Sequence, residues 1–214
     1  MTKTLFKLMT VAVLSTALFS CEKGENTNPT NDSQSNEGRV YILNEGVWGG
    51  NDAELSRYSD IDNSIANDYF ASKNGRGLGD VANDIEIYGG KMYVVVNCSN
   101  TVEVIDSKTG NSIQQIPLSG KQPREVAFYE GYAYVSCYDK TIVKIDTATL
   151  SIAAQCQTEG GKCEDLYAYN GYLYVVHAWD QDASGTTFYD STMSVINLST
   201  FAVEEKITIG LNPK

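Results

Sequence analysis

The residues able to do chemistry are few. His177 is the one histidine of 214 residues, and the chain has two tryptophans, Trp48 and Trp179. A single histidine excludes a metal site assembled from several histidines of this chain. No Gly-x-Ser-x-Gly elbow is present, and no cysteine and histidine stand in an evident nucleophile–base pairing. The 27 aspartates and glutamates are spread too evenly to single out a glycosidase pair. Asp180-Gln181-Asp182-Ala183-Ser184-Gly185 has the D-x-D-x-S-G rhythm of a calcium loop, which would make Asp180, Asp182 and Ser184 oxygen ligands. The twelfth position is Ser191 instead of a bidentate glutamate, so the segment reads either as a calcium site or as an ordinary polar loop. Arg124, after Pro123, is either a free anion or amide donor or the partner of Glu125 or Glu164. No catalytic constellation is visible, and binding is the chemistry that remains.

The elements that would position these residues repeat. Lys91-Met92-Tyr93-Val94-Val95-Val96-Asn97 returns as Tyr132-Ala133-Tyr134-Val135-Ser136-Cys137 and again as Tyr172-Leu173-Tyr174-Val175-Val176-His177, and Val40-Tyr41-Ile42-Leu43-Asn44 is a paler copy. Tyr93 to Tyr134 is 41 residues and Tyr134 to Tyr174 is 40. A fixed period near 40 with several short strands per period predicts an all-β chain, a β-propeller of four-stranded antiparallel blades. In the second period the strands are Asp84–Tyr88, Met92–Asn97, Thr101–Asp106 and Ser112–Leu118, with Gly89-Gly90 as a tight hairpin turn. The third and fourth periods repeat this plan. The first lacks its opening strand and runs Val40–Asn44, Glu54–Tyr58 and Ile65–Phe70, so that fifteen strands form about four blades. Helical periodicity is absent from this region.

Strand direction then sorts the loops. Short, uniform hairpins and turns fall on one face. The crossings between blades and the loops after each second strand fall on the other, the top face, with the irregular Val47–Asp52 loop and the Ala178–Ser191 insertion. Irregular loops on a regular scaffold are the usual carriers of function. The candidate ligand-binding residues are therefore Asn44, Trp48, Asn97, Arg124, Tyr138, His177 and Trp179. His177 could equally pack between blades, and the tryptophans could cover core edges.

The first twenty residues are separate. Lys3 and Lys7 precede the apolar run Leu8–Phe19, which is too short for a stable membrane span and has the layout of an export signal. Ser20-Cys21 follows as a small residue before a cysteine, so Cys21 is the expected lipidation site and residues 1–20 a lipoprotein signal peptide. Residues 21–38 hold no aromatic or aliphatic side chain and read as a flexible tether, leaving residues 39–214 for the blades. Net charge is −11, and loss of residues 1–20 would bring it to about −13. This disfavours nucleic acid as a partner. Cys98 and Cys137 end equivalent strands as small fillers. The Cys156–Cys163 segment must cross the blade, which argues against a disulfide between them. No cysteine spacing fits zinc or a redox pair.

Tyr93-Val94-Val95-Val96-Asn97 and Tyr134-Val135-Ser136-Cys137 resemble the YVTN repeat of YncE-like β-propellers. Leu43-Asn44-Glu45-Gly46, followed by Gly50-Asn51-Asp52-Ala53-Glu54-Leu55-Ser56, is similar to a subgroup found in envelope lipoproteins of gut commensals. The resemblance covers Arg39 to Lys214. It implies a seven-bladed ring, of which this chain would be an N-terminal part; the alternative is a compact four-bladed ring lacking one strand. It further implies attachment to the outer membrane or cell surface through the lipid anchor. Some relatives of this kind capture corrinoids and pass them to an outer-membrane transporter. A second reading is a protein-interaction scaffold in an envelope complex, and a third an enzyme completed by further blades.

Overall fold

A computed structural model describes residues 38–214. The signal segment, Cys21 and the tether up to residue 37 lie outside the described residues. Among the described residues, fifteen strands form four antiparallel sheets. The first sheet has three strands, β1 (Arg39–Asn44), β2 (Glu54–Ser59) and β3 (Ser64–Ala66). The second comprises β4 (Ala82–Tyr88), β5 (Lys91–Val96), β6 (Thr101–Asp106) and β7 (Ser112–Pro117). The third comprises β8 (Pro123–Tyr129), β9 (Tyr132–Cys137), β10 (Thr141–Asp146) and β11 (Ser151–Gln157). The fourth comprises β12 (Lys162–Tyr169), β13 (Tyr172–Gln181), β14 (Thr187–Asn197) and β15 (Ala202–Thr208). Each sheet is a meander in sequence order, and the inner strand β8 packs against β4 on one side and β12 on the other. This is the blade arrangement the 40-residue period predicts.

The repeat motif is apolar without alternation because its strand is covered on both faces. Tyr93 and Val95 of β5 join Val126, Val135 and Ile145 of the third blade in one core cluster. Met92, Val94 and Val96 turn the other way and join Leu55, Tyr69, Phe70 and Leu78. A third cluster sets Tyr134 and Ile142 against Leu166, Val175 and Ile196. The core is thus a series of seams between blades. The hairpins opening each blade are also uniform. Gly89-Gly90, Glu130-Gly131 and Asn170-Gly171 all have both residues at positive φ, with Gly131 at 82° and Gly171 at 81°. That is the turn whose twist matches a two-residue antiparallel connection.

Two expectations are corrected. The strand expected over Ile65–Phe70 ends at Ala66, and a short helix, α1 (Tyr69–Asn74), follows. Asp68 (φ 51°) turns the chain out of the sheet, and the helix buries Tyr69 and Phe70. Asn74 Nδ2 then donates to the Gly110 carbonyl at 3.0 Å, and its Oδ1 accepts from Ser112 N at 2.7 Å. The helix is fixed by this docking on the second blade and not by its own propensity. The Ala178–Ser191 insertion is likewise no loose loop. β13 and β14 continue pairing to Gln181↔Thr187, so it is an extended hairpin.

Candidate functional site

The inner strands carry the first constellation. Each has a register shift near its start, between Ala82 and Asp84, Pro123 and Val126, and Cys163 and Leu166. Asp84, Glu125 and Asp165 occupy this place in the three blades. Asp84 Oδ2 accepts from Val126 N at 2.8 Å, joining β4 to β8. Burial, then the charge of Asp84, pushes the Glu125 carboxyl up to about 8, and burial also raises Asp84. The Asp84 carboxyl beside it thus favours the protonated form of Glu125. The sequence held a signal for this set, since each acidic residue stands six positions before the second residue of its blade's turn, at Gly90, Gly131 and Gly171.

The second constellation lies where the crossings meet the ends of the second strands. One cavity, of about 360 Å³, is lined by Glu45, Trp48, Asn97, Gln122, Lys162 and Trp179, among others. An adjoining one, of about 370 Å³, is lined by Arg124, Glu164, Gln181, Thr187 and Tyr189 and others. Tyr138 and Trp179 line both cavities, meeting edge to face with ring centroids 5.6 Å apart. Cavities of this size suit a small ligand or part of a larger one.

Glu164 organises the second cavity. Its Oε1 takes Arg124 Nε at 3.1 Å and also Arg124 Nη2, and its Oε2 accepts the Tyr138 hydroxyl at 2.8 Å. Arg124 also stacks over the Tyr138 ring at 4.7 Å. Of the two readings of Arg124, the paired one holds, and this cavity presents a neutralised charge pair, amide and hydroxyl groups, and Lys214. Burial raises the Tyr138 hydroxyl to about 12, so it remains a donor at neutral pH. In the first cavity Trp48 is 84% exposed, on a turn fixed by Gly50 N to Val47 O (2.7 Å) and Val47 N to Asp52 Oδ1 (2.8 Å). Burial raises the Cys98 thiol at this cavity's edge. Val81 on the rim has φ 57°, a strained position for a β-branched residue.

Five of the seven predicted residues therefore come together: Trp48, Asn97, Arg124, Tyr138 and Trp179. Asn97 has a structural duty as well, donating from Nδ2 to the Pro123 carbonyl at 2.9 Å. Asn44 lines neither cavity; its Nδ2 serves Glu54 Oε1 (3.1 Å) and Ser56 Oγ (3.0 Å) inside the first blade. His177 lies beneath the face, fully buried, with Nδ1 at 3.0 Å from the Gly161 carbonyl and Nε2 at 2.9 Å from Ser194 Oγ. Burial lowers its affinity for a proton. It packs under Gly160, where an added Cβ would come within 2.3 Å of the ring. The packing reading of His177 is the one the structure supports.

In the segment that reads as a calcium site or a polar loop, the side-chain oxygens have protein partners. Asp180 pairs with Lys140, while Asp182 Oδ1 closes the hairpin turn by accepting Ser184 N (2.8 Å), Ser184 Oγ (2.6 Å) and Thr186 N (2.9 Å). Asp182 and Ser184 meet in the turn, while Asp180 faces Lys140. Among the described residues no three histidine, cysteine or carboxylate side chains are grouped to hold a metal. Cys98, Cys137, Cys156 and Cys163 are free thiols, and Cys98 is the least buried of them. The sequence reading missed Lys162, Gln181 and Tyr189 and named Glu164 only as a possible partner of Arg124.

Four-stranded antiparallel blades meeting along apolar seams, with cavities where the crossings converge, define a β-propeller architecture. The chain belongs to the family described as domain of unknown function DUF5074, whose profile matches residues 38–208. A search of curated proteins finds no match to this sequence. Among solved structures, the hydrazine synthase of Kuenenia stuttgartiensis is similar at 15% identity and a TM-score of 0.58, over 72% of this chain and 43% of that one. The computationally designed Ika8 protein is similar at 11% identity and a TM-score of 0.57, over 76% and 46% of the two chains. The Pan2 WD40 domain of Neurospora crassa is similar at 15% identity and a TM-score of 0.53, over 73% and 48%. The chain spans less than half the length of these structures, and at such identities the likeness shows the fold alone.

Proposed function

We propose that this domain is a binding module of the cell envelope, carried on a lipid anchor at Cys21, that captures a flat small-molecule nutrient on its top face. The observation that carries the reading is the meeting of Trp48, Tyr138 and Trp179 around two adjoining cavities. Aromatic walls supply apolar area and stacking for a planar ligand, and a few fixed polar groups orient it. The N-terminal sequence and the likeness to YncE-like envelope lipoproteins favour a corrinoid as the nutrient and an outer-membrane transporter as the recipient. The test is calorimetric titration of cobinamide into the chain carrying Cys21→Ser. Saturable heat that vanishes in the Trp48→Ala/Trp179→Ala double variant supports the proposal. No heat with the single variant Cys21→Ser removes the corrinoid, and unchanged heat in the double variant removes the face.

A second reading is a protein-interaction scaffold. The extended β13–β14 hairpin favours it, because Phe188 (48% exposed) and Tyr189 (59% exposed) stand near its end. Co-purification of a membrane partner that is lost on Phe188→Ser, without small-molecule binding, would favour this reading over the first.

A further inference from the structure

The crossings between blades bring three equivalent residues to the rim of the Trp48 cavity: Val81 and Gln122, each just before the first paired residue of its inner strand, and Lys162, which itself pairs with Trp179. Only the third is charged. Its Nζ lies 4.2 Å from the Trp179 ring and 5.2 Å from the Tyr138 ring. Lys162 is half-buried and forms no ion pair among the described residues.

The cations near it differ. Lys121 pairs with Asp139 at 3.1 Å, Arg124 with Glu164, and Lys140 with Asp180. Asp180, the carboxylate whose ionisation feels Lys162, is thus already committed to Lys140. Glu45, on the first-blade side of the same cavity, accepts from Asn83 Nδ2 at 3.4 Å. In a chain of net charge −11, Lys121, Arg124 and Lys140 are neutralised internally, while Lys162 is held against aromatic rings in the Trp48 cavity. An ammonium resting on two π-faces is fixed in place without losing its charge, and it keeps N–H donors for a ligand.

We infer that Lys162 is an anion subsite, and that the ligand of this cavity is a planar ring system bearing a carboxylate, phosphate or sulfonate group. The ring lies against Trp48 and Trp179 while the anionic group meets the Lys162 ammonium. The neighbouring cavity, with Arg124 and Glu164 already neutralised against each other, takes the neutral amide or hydroxyl groups of the same ligand. This inference rests on the reading of the top face as a binding surface.

Two isosteric probes separate the questions: naphthalene-2-sulfonate, which is anionic, and naphthalene-2-sulfonamide, which is neutral at pH 7. Each is titrated into the Cys21→Ser chain at low salt and followed by the NMR signals of the two tryptophan indole N–H groups. The sulfonate is expected to bind about tenfold more tightly, the effect of one charge-assisted contact worth roughly 1.4 kcal/mol. Lys162→Met should erase that preference, Lys162→Arg should keep it, and added salt should reduce it. Equal binding of the two probes, a preference that survives Lys162→Met, or no binding of either probe overturns the anion subsite. In Trp48→Ala/Trp179→Ala, which has no indole signal left and is followed by calorimetry, loss of both probes upholds the aromatic face whatever Lys162 does, and probe binding that survives overturns the face itself.

Discussion

The two ends of the second strands teach opposite lessons. At one end, β5, β9 and β13 begin in turns of the same build, each a pair of residues with positive φ. At the other end, the equivalent positions Val96, Cys137 and His177 are followed by Asn97, Tyr138 and Ala178, which share nothing chemically. Between the ends, each strand is an apolar rod in a seam. Such a strand tolerates little change along its length, so variation collects where it emerges. Uniformity marks what builds the blade, and divergence marks where a ligand could be selected.

The comparison breaks most sharply if a seam residue can be lost cheaply. Tyr93→Ala, in the middle of the seam between the second and third blades, should cost about 3–5 kcal/mol in denaturant unfolding. Tyr93→Phe should be neutral or slightly stabilising, because the buried hydroxyl has no hydrogen-bond partner. A large loss on Tyr93→Phe would mean that the hydroxyl is satisfied in solution.

At the uniform turns the expected cost is smaller and comes from the backbone. A Cβ on Gly131 would meet nothing within 4 Å, yet φ there is 82°. Gly131→Ala should therefore cost about 1–2 kcal/mol from conformation alone. The same substitution at Gly171 should match it if the turns are equivalent.

The inner strands give a pH signature. Glu125 has its proton affinity raised to about 8, mainly by burial and next by Asp84. The folded state therefore binds a proton there that the unfolded chain releases near pH 4.3. That contribution is complete below the unfolded value and is lost as pH rises through about 8, so stability should fall across this window. Glu125→Gln should flatten the fall in a series of melting curves, and an unchanged slope would mean that Glu125 does not carry the raised proton affinity. His177 acts in the opposite sense. Burial depresses it, so its contribution is full above pH of about 6.5 and declines as acid protonates it.

The smallest effect belongs to the divergent face. Trp48 is 84% exposed, so Trp48→Ala should change stability by less than about 0.5 kcal/mol. A loss comparable to that of Tyr93→Ala would make Trp48 a core cover and erase the contrast between the two ends.

Most of the fold was legible because a 40-residue period and positive-φ turn pairs are local signals. Helix α1 was not, because six residues hold no periodicity and its supports, Gly110 and Ser112, lie 36 and 38 residues away from Asn74. Five of the residues that line the two cavities were reached by asking where the copies stop matching. His177 misled because strand register places it at the right end but not on the surface; the glycine above it, Gly160, leaves room for its ring to tuck in. Lys162 was missed because a charged residue in a crossing looks like a solvated one until its surroundings are known.

The central claim is that ligand selection takes place where Trp48 and Trp179 meet the crossings. Both tryptophans of the chain lie on that face, so the two indole N–H signals report on it directly. Titration with cobinamide, under conditions where calorimetry detects binding, should move both signals saturably and with the calorimetric affinity. Calorimetric binding that leaves both signals in place would contradict the account.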